Sequence, residues 1–263
     1  TSYTAQSSFG LEAPNSLASS GSIVYFVCSG AQYGKAVMRV SGTQFERISE
    51  DWLEDKLLKE STDSAYGFCY SVGEHNFYVL QLNSIGETWV YDALDGGWHQ
   101  RTSRDQISGL ETQWRAGDIA YYREQFFTFT NDGLVCRFQH NYWFEDFPDG
   151  AKLPMIRHRQ TPVITDNLKP FVFEELAVEC NVGTWDDYEL KPMLLLEVSK
   201  DGGMTWGNIR SSSLGRTGDY SHRVRWLNVG RNRLCVIRIT YSHPTDLVLT
   251  ACSIRAESTG AMI

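Results

Sequence analysis

The sequence lacks each short spacing that marks a metal, redox or nucleotide site. Of its six cysteines, the nearest pair, Cys235 and Cys252, is 17 residues apart, so no C-x-x-C pattern exists for zinc or dithiol chemistry. The six histidines are scattered without an H-E-x-x-H spacing. The nearest to a cluster, His158 in Arg157-His158-Arg159, is expected on an exposed strand. No Walker loop, G-x-G-x-x-G or G-x-S-x-G occurs. No run of 18 apolar residues is present, so no segment is expected to span a membrane as a helix. The start, Thr1-Ser-Tyr-Thr-Ala-Gln-Ser-Ser8, has no charged-then-apolar signal pattern and no Met. It reads as a cut within a longer chain.

What is present leans towards β-structure. Proline is sparse at 7, whereas aromatic residues make up 13% of the 263 residues, and aromatics suit the half-buried pleated surface of sheets. A hydrophobic fraction of 42% supplies real cores and argues against disorder. Residues 1–150 carry 10 Lys or Arg against 20 Asp or Glu, and residues 151–263 carry 14 against 12. That asymmetry points to two units, of which the acidic one is a poor nucleic-acid surface. Most cysteines, like Cys28 in Ile23-Val-Tyr-Phe-Val-Cys28, lie in apolar strand-like runs and are expected as free core thiols of a protein assembled in a reducing cytoplasm.

The first half contains a weak repeat with a period near 50. Val24–Val27 is echoed by Phe77–Leu80 and Phe126–Phe129. Each is followed by a second strand, Ala36–Val40, Thr88–Asp92 or Leu134–Phe138, and then by an aromatic third at Phe45–Ile48, Trp98–Arg101 or Tyr142–Glu145. Ser41-Gly42, Asp95-Gly-Gly97 and Asn131-Asp-Gly133 supply turns between them. The pattern is that of β-propeller blades, and since three blades cannot close a ring, the missing ones are expected upstream of Thr1. One helix is expected over 49–59, with Ser49 as N-cap and Trp52, Leu53 and Leu57 on one face. From about residue 155 cleaner alternation in Phe171–Cys180, Pro192–Val198, Arg233–Tyr241 and Leu247–Arg255 predicts a β-sandwich. The expectation is therefore an all-β chain, with an incomplete propeller region over 1–153 and a sandwich over 154–263.

Two motifs stand out in the second unit. Ser199-Lys-Asp201-Gly-Gly203-Met-Thr205-Trp206 fits the Asp-box pattern Ser-x-Asp-x-Gly-x-Thr-Trp. Asp201 and Gly203 suit a tight hairpin turn, and Trp206 is expected to re-enter the sheet and anchor it. Such boxes recur in sialidases but lie away from the chemistry. No carboxylate pair or Tyr nucleophile with partners accompanies this one, so the chain is not expected to be an enzyme, to bind a metal or to need a cofactor. Residues 201–240 also hold seven arginines and no lysine beyond the box, a composition suited to bidentate recognition of carboxylate or phosphate. Arg216, Arg223, Arg225, Trp226, Arg231 and Arg233 form the candidate partner-binding patch. The arginines could line a solvated strand face, pair with acids on a neighbouring subunit or on the first half, or face DNA with Trp226 as a stacking surface. The acidic balance of the whole chain favours the second.

The block His222-Arg-Val-Arg-Trp-Leu-Asn-Val-Gly-Arg-Asn-Arg-Leu234, with Ile237-Arg-Ile-Thr240, Pro244 and Leu249–Glu257, resembles the end of the packaged-DNA stabilisation proteins of short-tailed bacteriophages. Val178–Gly183, Leu195–Gly202 and the segment Gln6–Gly30 are similar to earlier strands of that family. The resemblance spans most of the chain as short blocks and corresponds to the C-terminal half of longer members. It implies a virion component, a tail-hub or head-completion subunit assembled in a homo-oligomeric ring. Its implied partners are the portal and adaptor proteins above and a tail needle or spike below. Direct contact with DNA is left open. The Asp-box keeps a second reading alive, a carbohydrate-binding or sialidase-like propeller protein.

Overall fold

The computed structural model describes residues 9–31, 34–61, 63–130, 132–139, 142–167, 169–182, 191–216 and 221–258. Residues 1–8, the turn residue Asn131, Gly183 and residues 217–220 of the arginine-rich block, all singled out above, lie outside that set. The chain divides into two compact units, Thr1–His140 with Asp146–Ala151, and Asn141–Glu145 with Lys152–Ile263.

The first unit is built from meander sheets, each strand hydrogen-bonded to the next in sequence. β1 (Phe9–Ser20), β2 (Ile23–Gly30), β3 (Gly34–Ser41) and β4 (Gln44–Arg47) form one sheet. After helix α1 (Asp51–Lys59), β5 (Ala65–Val72), β6 (His75–Leu82), β7 (Glu87–Asp92) and β8 (Gly97–Gln100) form a second. β9 (Thr102–Arg104) pairs with β10 (Glu111–Gln113), and β11 (Ala116–Tyr122), β12 (Gln125–Thr130) and β13 (Val135–Arg137) form a three-stranded sheet. The repeat read from sequence thus corresponds to the second to fourth strands of the first two sheets. Their opening strands, β1 and β5, and β11 of the third carry no matching echo. The third copy departs from the expectation: its last segment forms β14 (Phe144–Asp146), which pairs with β15 (Lys152–Pro154) instead of β13. The described residues form no closed propeller.

Packing joins these sheets in order. Tyr25 and Tyr78 stack at 5.0 Å between the first and second sheets, within a core that also holds Leu53 and Leu57 of α1. Ser16 is the tie at that seam. Its Oγ donates to the Ala13 carbonyl and accepts from the Val27 amide, while its carbonyl accepts from the Tyr78 hydroxyl at 2.8 Å. The approach is so close that only glycine fits at position 67: a Cβ there would lie 2.3 Å from the Ser16 carbonyl oxygen. On the other face of the second sheet, Phe68, Tyr70 and Val79 pack with Trp114, Phe126 and Phe138.

Helix α1 begins one residue later than expected. Glu50 holds the N-cap position with extended backbone and no side-chain cap bond. Ser49 is diverted: its Oγ accepts from the Val37 amide at 3.0 Å and donates to Glu54 at 2.6 Å. The helix ends at Glu60, whose buried carboxylate accepts from the Ser64 hydroxyl and from the amides of Ser84 and Ile85. That carboxylate fixes the β6–β7 turn to the end of α1.

The second unit is a β-sandwich. One sheet runs β16 (Arg157–Gln160), β22 (Leu234–Tyr241), β19 (Met193–Ser199), β20 (Arg210–Ser213), with β17 (Ile164–Thr165) also paired to β22. The other runs β21 (His222–Asn232), β18 (Phe171–Val182), β23 (Leu247–Ser258). Every pairing is antiparallel. The core draws Leu176, Val178 and Cys180 from β18, Leu194 and Leu196 from β19, Val224 and Trp226 from β21, and Ile237 from β22. All six cysteines are free, but they are not uniformly core thiols. Cys28, Cys180 and Cys235 are buried, Cys69 and Cys136 half-buried, and Cys252 is exposed on β23. Burial pushes the Cys69 thiol up to about 12. No helix among the described residues is long and apolar enough to cross a membrane.

Candidate functional site

The Asp-box forms the β19–β20 connection and is closed upon itself. Ser199, fully buried, donates to Asp201 at 2.6 Å and accepts from the Gly203 amide at 2.8 Å. Asp201 accepts the Thr205 amide at 2.9 Å and the Thr205 hydroxyl. Hydrogen bonds from Ser199 and then Thr205 hold the Asp201 carboxyl well below the usual carboxylate range. Gly202 and Gly203 have φ of 79° and 101°, the left-handed backbone that makes the reversal. Trp206 corrects the expectation, because it lies outside any strand. It is half-buried beneath the Arg238 guanidinium, 3.9 Å from its ring centroid, and Arg238 is itself held by Glu197 at 2.9 Å. The carboxylate is consumed by the turn's own donors, so the geometry describes a fastener for the hairpin.

The arginine-rich block sorts by strand alternation. Arg223 and Arg225 are exposed on the outer face of β21 and meet acids of the neighbouring strand: Arg223 pairs with Glu179, and Arg225 with Glu175 at 3.6 Å. These acids belong to their own sheet, where Glu179 stands directly opposite Arg223. Trp226 is the clear correction. It is only 3% exposed, belongs to the sandwich core, and donates its indole N–H to the Arg210 carbonyl. It offers no stacking surface. Arg216, Arg231 and Arg233 are exposed; Arg231 and Arg233 make no ion pair among the described residues. Within the patch, Arg223 and Arg225 are thus engaged by acids of their own sheet and the aromatic member is withdrawn into the core.

Other clustered polar groups also read as fasteners. His75, Asp92 and Asp95 bring three potential ligand atoms within 4.8 Å of one another at the β7–β8 turn. There the His75 Nδ1 is already 2.6 Å from the Asp92 carboxylate, whose other oxygen accepts the Leu94 amide. Burial disfavours the charged form of Asp92, yet the Leu94 amide and His75 together hold its carboxyl below the ordinary value. A bay of about 490 Å³ is lined by Arg47, Ser49, Glu50, Asp51 and Trp52, and its cation is engaged by Asp51 and Glu54. Arg157 went unnoticed in the sequence except as a neighbour of His158. It is inserted between the rings of Trp143 and Tyr241, 4.4 and 4.7 Å away, and donates to the carbonyls of His243 and Thr245. The His243 carbonyl that holds it is 86 residues distant in sequence, a relation that no local pattern signals.

Residues 156–257 match the family described as bacteriophage P22 Gp10, beta-sandwich. The match covers the second unit's two sheets and supports a phage Gp10-like structural protein. No curated protein matches the chain. Among solved structures it is similar to a glycoside hydrolase family 43 arabinoxylan arabinofuranohydrolase from Bacillus subtilis, at 8% identity over 91% of this chain and 53% of that one, TM-score 0.25. It is also similar to a Bombyx mori GH32 beta-fructofuranosidase, at 11% identity over 90% and 62%, TM-score 0.21. The chain thus spans about half to three-fifths of those proteins, and at such TM-scores neither likeness carries an argument about fold or activity.

Proposed function

We propose that the chain is a structural subunit of a phage virion, a tail-hub or head-completion protein that joins the portal–adaptor complex to distal tail parts and helps retain packaged DNA. The observation that carries this reading is the family match over 156–257. The meander sheets of the first unit would be blades of an incomplete propeller, and the exposed Arg231 and Arg233 the portion of the arginine block left for acidic partners. The closed Asp-box and the scattered histidines supply no reaction centre to favour the carbohydrate reading. The test is to mix the purified protein with portal–adaptor complexes and image the product. The expected result is a ring of copies seated on the complex. A protein that never binds such complexes overturns the proposal, and binding to a glycan array in its place would move the assignment to the carbohydrate alternative.

A further inference from the structure

The last strand of the three-stranded sheet, β23, is bonded to β18 along one side, and among the described residues no strand pairs with its other edge. Natural edge strands are guarded by charge, proline or short length. From Leu247 to Ile254 this one carries no charge and no proline. The opposite edge of the same sheet is treated differently, since the Arg210 guanidinium donates to the carbonyls of Leu227 and Asn228 on β21 at 2.6 and 3.3 Å.

The apolar side of β23 is also uncovered. Leu249, Cys252 and Ile254 stand opposite Cys180, Val178 and Leu176 of β18, each of which is 1% exposed, and so lie on the core face of the sheet. The facing sheet does not extend over them: Leu249 is 40% and Ile254 37% exposed, and Cys252 is exposed. A bulge sets the pattern along the strand. Glu179 pairs with Ala251 and Cys180 with Leu249, leaving Thr250 as the extra residue. Leu247 and Leu249 before it, and Cys252 and Ile254 after it, therefore share the core face.

We propose that this edge is covered by β23 of a second copy of the chain, antiparallel, about a two-fold axis between Thr250 and Ala251. In that register Leu247 meets Ile254 of the second copy, Leu249 meets Cys252, and the outer-face residues Val248 and Ser253 meet each other. A shift by one residue sets core-face side chains against outer-face ones. The same register places Asp246, exposed just before the strand, opposite Arg255, whose side chain is 67% exposed and whose guanidinium retains donors beyond its bond to Glu174. The two three-stranded sheets become one of six strands. Such an isologous contact closes at two copies, so it describes the free protein, does not rest on the virion role, and leaves any ring to other surfaces.

The test uses the whole chain. Light scattering on the eluting protein is expected to give a dimer, and Ile254→Lys, at an exposed site, a folded monomer. Leu249→Cys is expected to form an intermolecular disulfide with the native Cys252 under mild oxidation, because directly opposed Cβ atoms lie about 4.5–5.5 Å apart. Adding Cys252→Ser removes that cross-link, and Val248→Cys does not give it. Asp246→Arg is expected to raise the dimer dissociation constant about tenfold, with like charges replacing opposite ones at two symmetric positions, and Asp246→Arg with Arg255→Asp to restore it. A protein monomeric at its highest soluble concentration overturns the proposal. So does a dimer in which Leu249→Cys gives no cross-link, which would mean another surface or a terminal segment covers the strand.

Discussion

The two units hold themselves together with different chemistry. Between successive sheets of the first, the contacts are planar and oriented: Tyr25 on Tyr78 at 5.0 Å and 11°, and Tyr70 on Phe138 at 4.9 Å, while within the second sheet Tyr70 stacks on Phe77 at 5.0 Å. Arg101 lies 5.1 to 5.3 Å from the rings of Tyr70, Phe77 and Trp114. Several rings carry a polar handle that must find a partner, as Tyr78 does in Ser16. The sandwich core is mostly aliphatic, Leu176, Val178, Leu194, Leu196 and Ile237 around one indole, and burial of that kind is non-directional. Oriented contacts fix how one sheet follows the next. Non-directional ones fill a volume, and they tolerate a sheet that projects one strand beyond its cover.

The contrast can be broken by substitution. Trp226→Ala empties the sandwich core and orphans the Arg210 carbonyl, so a loss of about 3–5 kcal/mol is expected there. Hydrogen exchange read strand by strand should show it in β18 and β22 and not in β6. An equal loss in β6 would mean that the units are one cooperative block. Gly67→Ala should strike the other unit, because its Cβ would meet the Ser16 carbonyl at 2.3 Å and Tyr78 at 3.0 Å. Overpacking of that kind costs about 1–3 kcal/mol, checked by denaturant unfolding with exchange in β1 and β5. Tyr78→Phe keeps the ring stack and removes only the hydroxyl. Leaving the Ser16 carbonyl unpaired is expected to cost about 1–2 kcal/mol, and a cost near zero would show that the stack alone orients the seam.

The smallest effect is a pH dependence of the Asp-box. Its carboxylate is held low by Ser199 and Thr205, so the associated stability is complete above the unfolded value of about 3.9 and is lost as pH falls through that range. Scanning calorimetry from neutral to acid pH should show the sandwich transition of the native protein dropping below about pH 4 more steeply than that of Asp201→Asn. Parallel curves would remove the box from the sandwich's acid response.

How much of this was legible follows from range along the chain. The hairpins β2–β3–β4 and β6–β7–β8 are local, and their alternation and turn residues mark them. β1 hides behind Pro14 and a broken register between Ala13 and Ala18, and β5 offers no echo because its glycine answers to a carbonyl 51 positions earlier. In the arginine block the signal was present: alternation puts Trp226 on the face of Val224, away from Arg223 and Arg225. That period of two suits the arginines on a solvated face, and the same period removes Trp226 from the patch that includes it. The Glu179–Arg223 pair spans 44 residues, and nothing short of the sheet register reveals it.

The order of strands has a consequence in time. Each sheet of the first unit closes between neighbours in sequence, as at Val72 and His75 across the β5–β6 turn, so it can be completed as the chain emerges during synthesis. In the sandwich, β18 is the central strand and waits for β21 and then β23, whose Thr250 bonds back to Glu179 across 71 residues. Until β23 arrives, a strand of 12 residues stands with an open side, and the ribosome's pace sets how long that interval lasts.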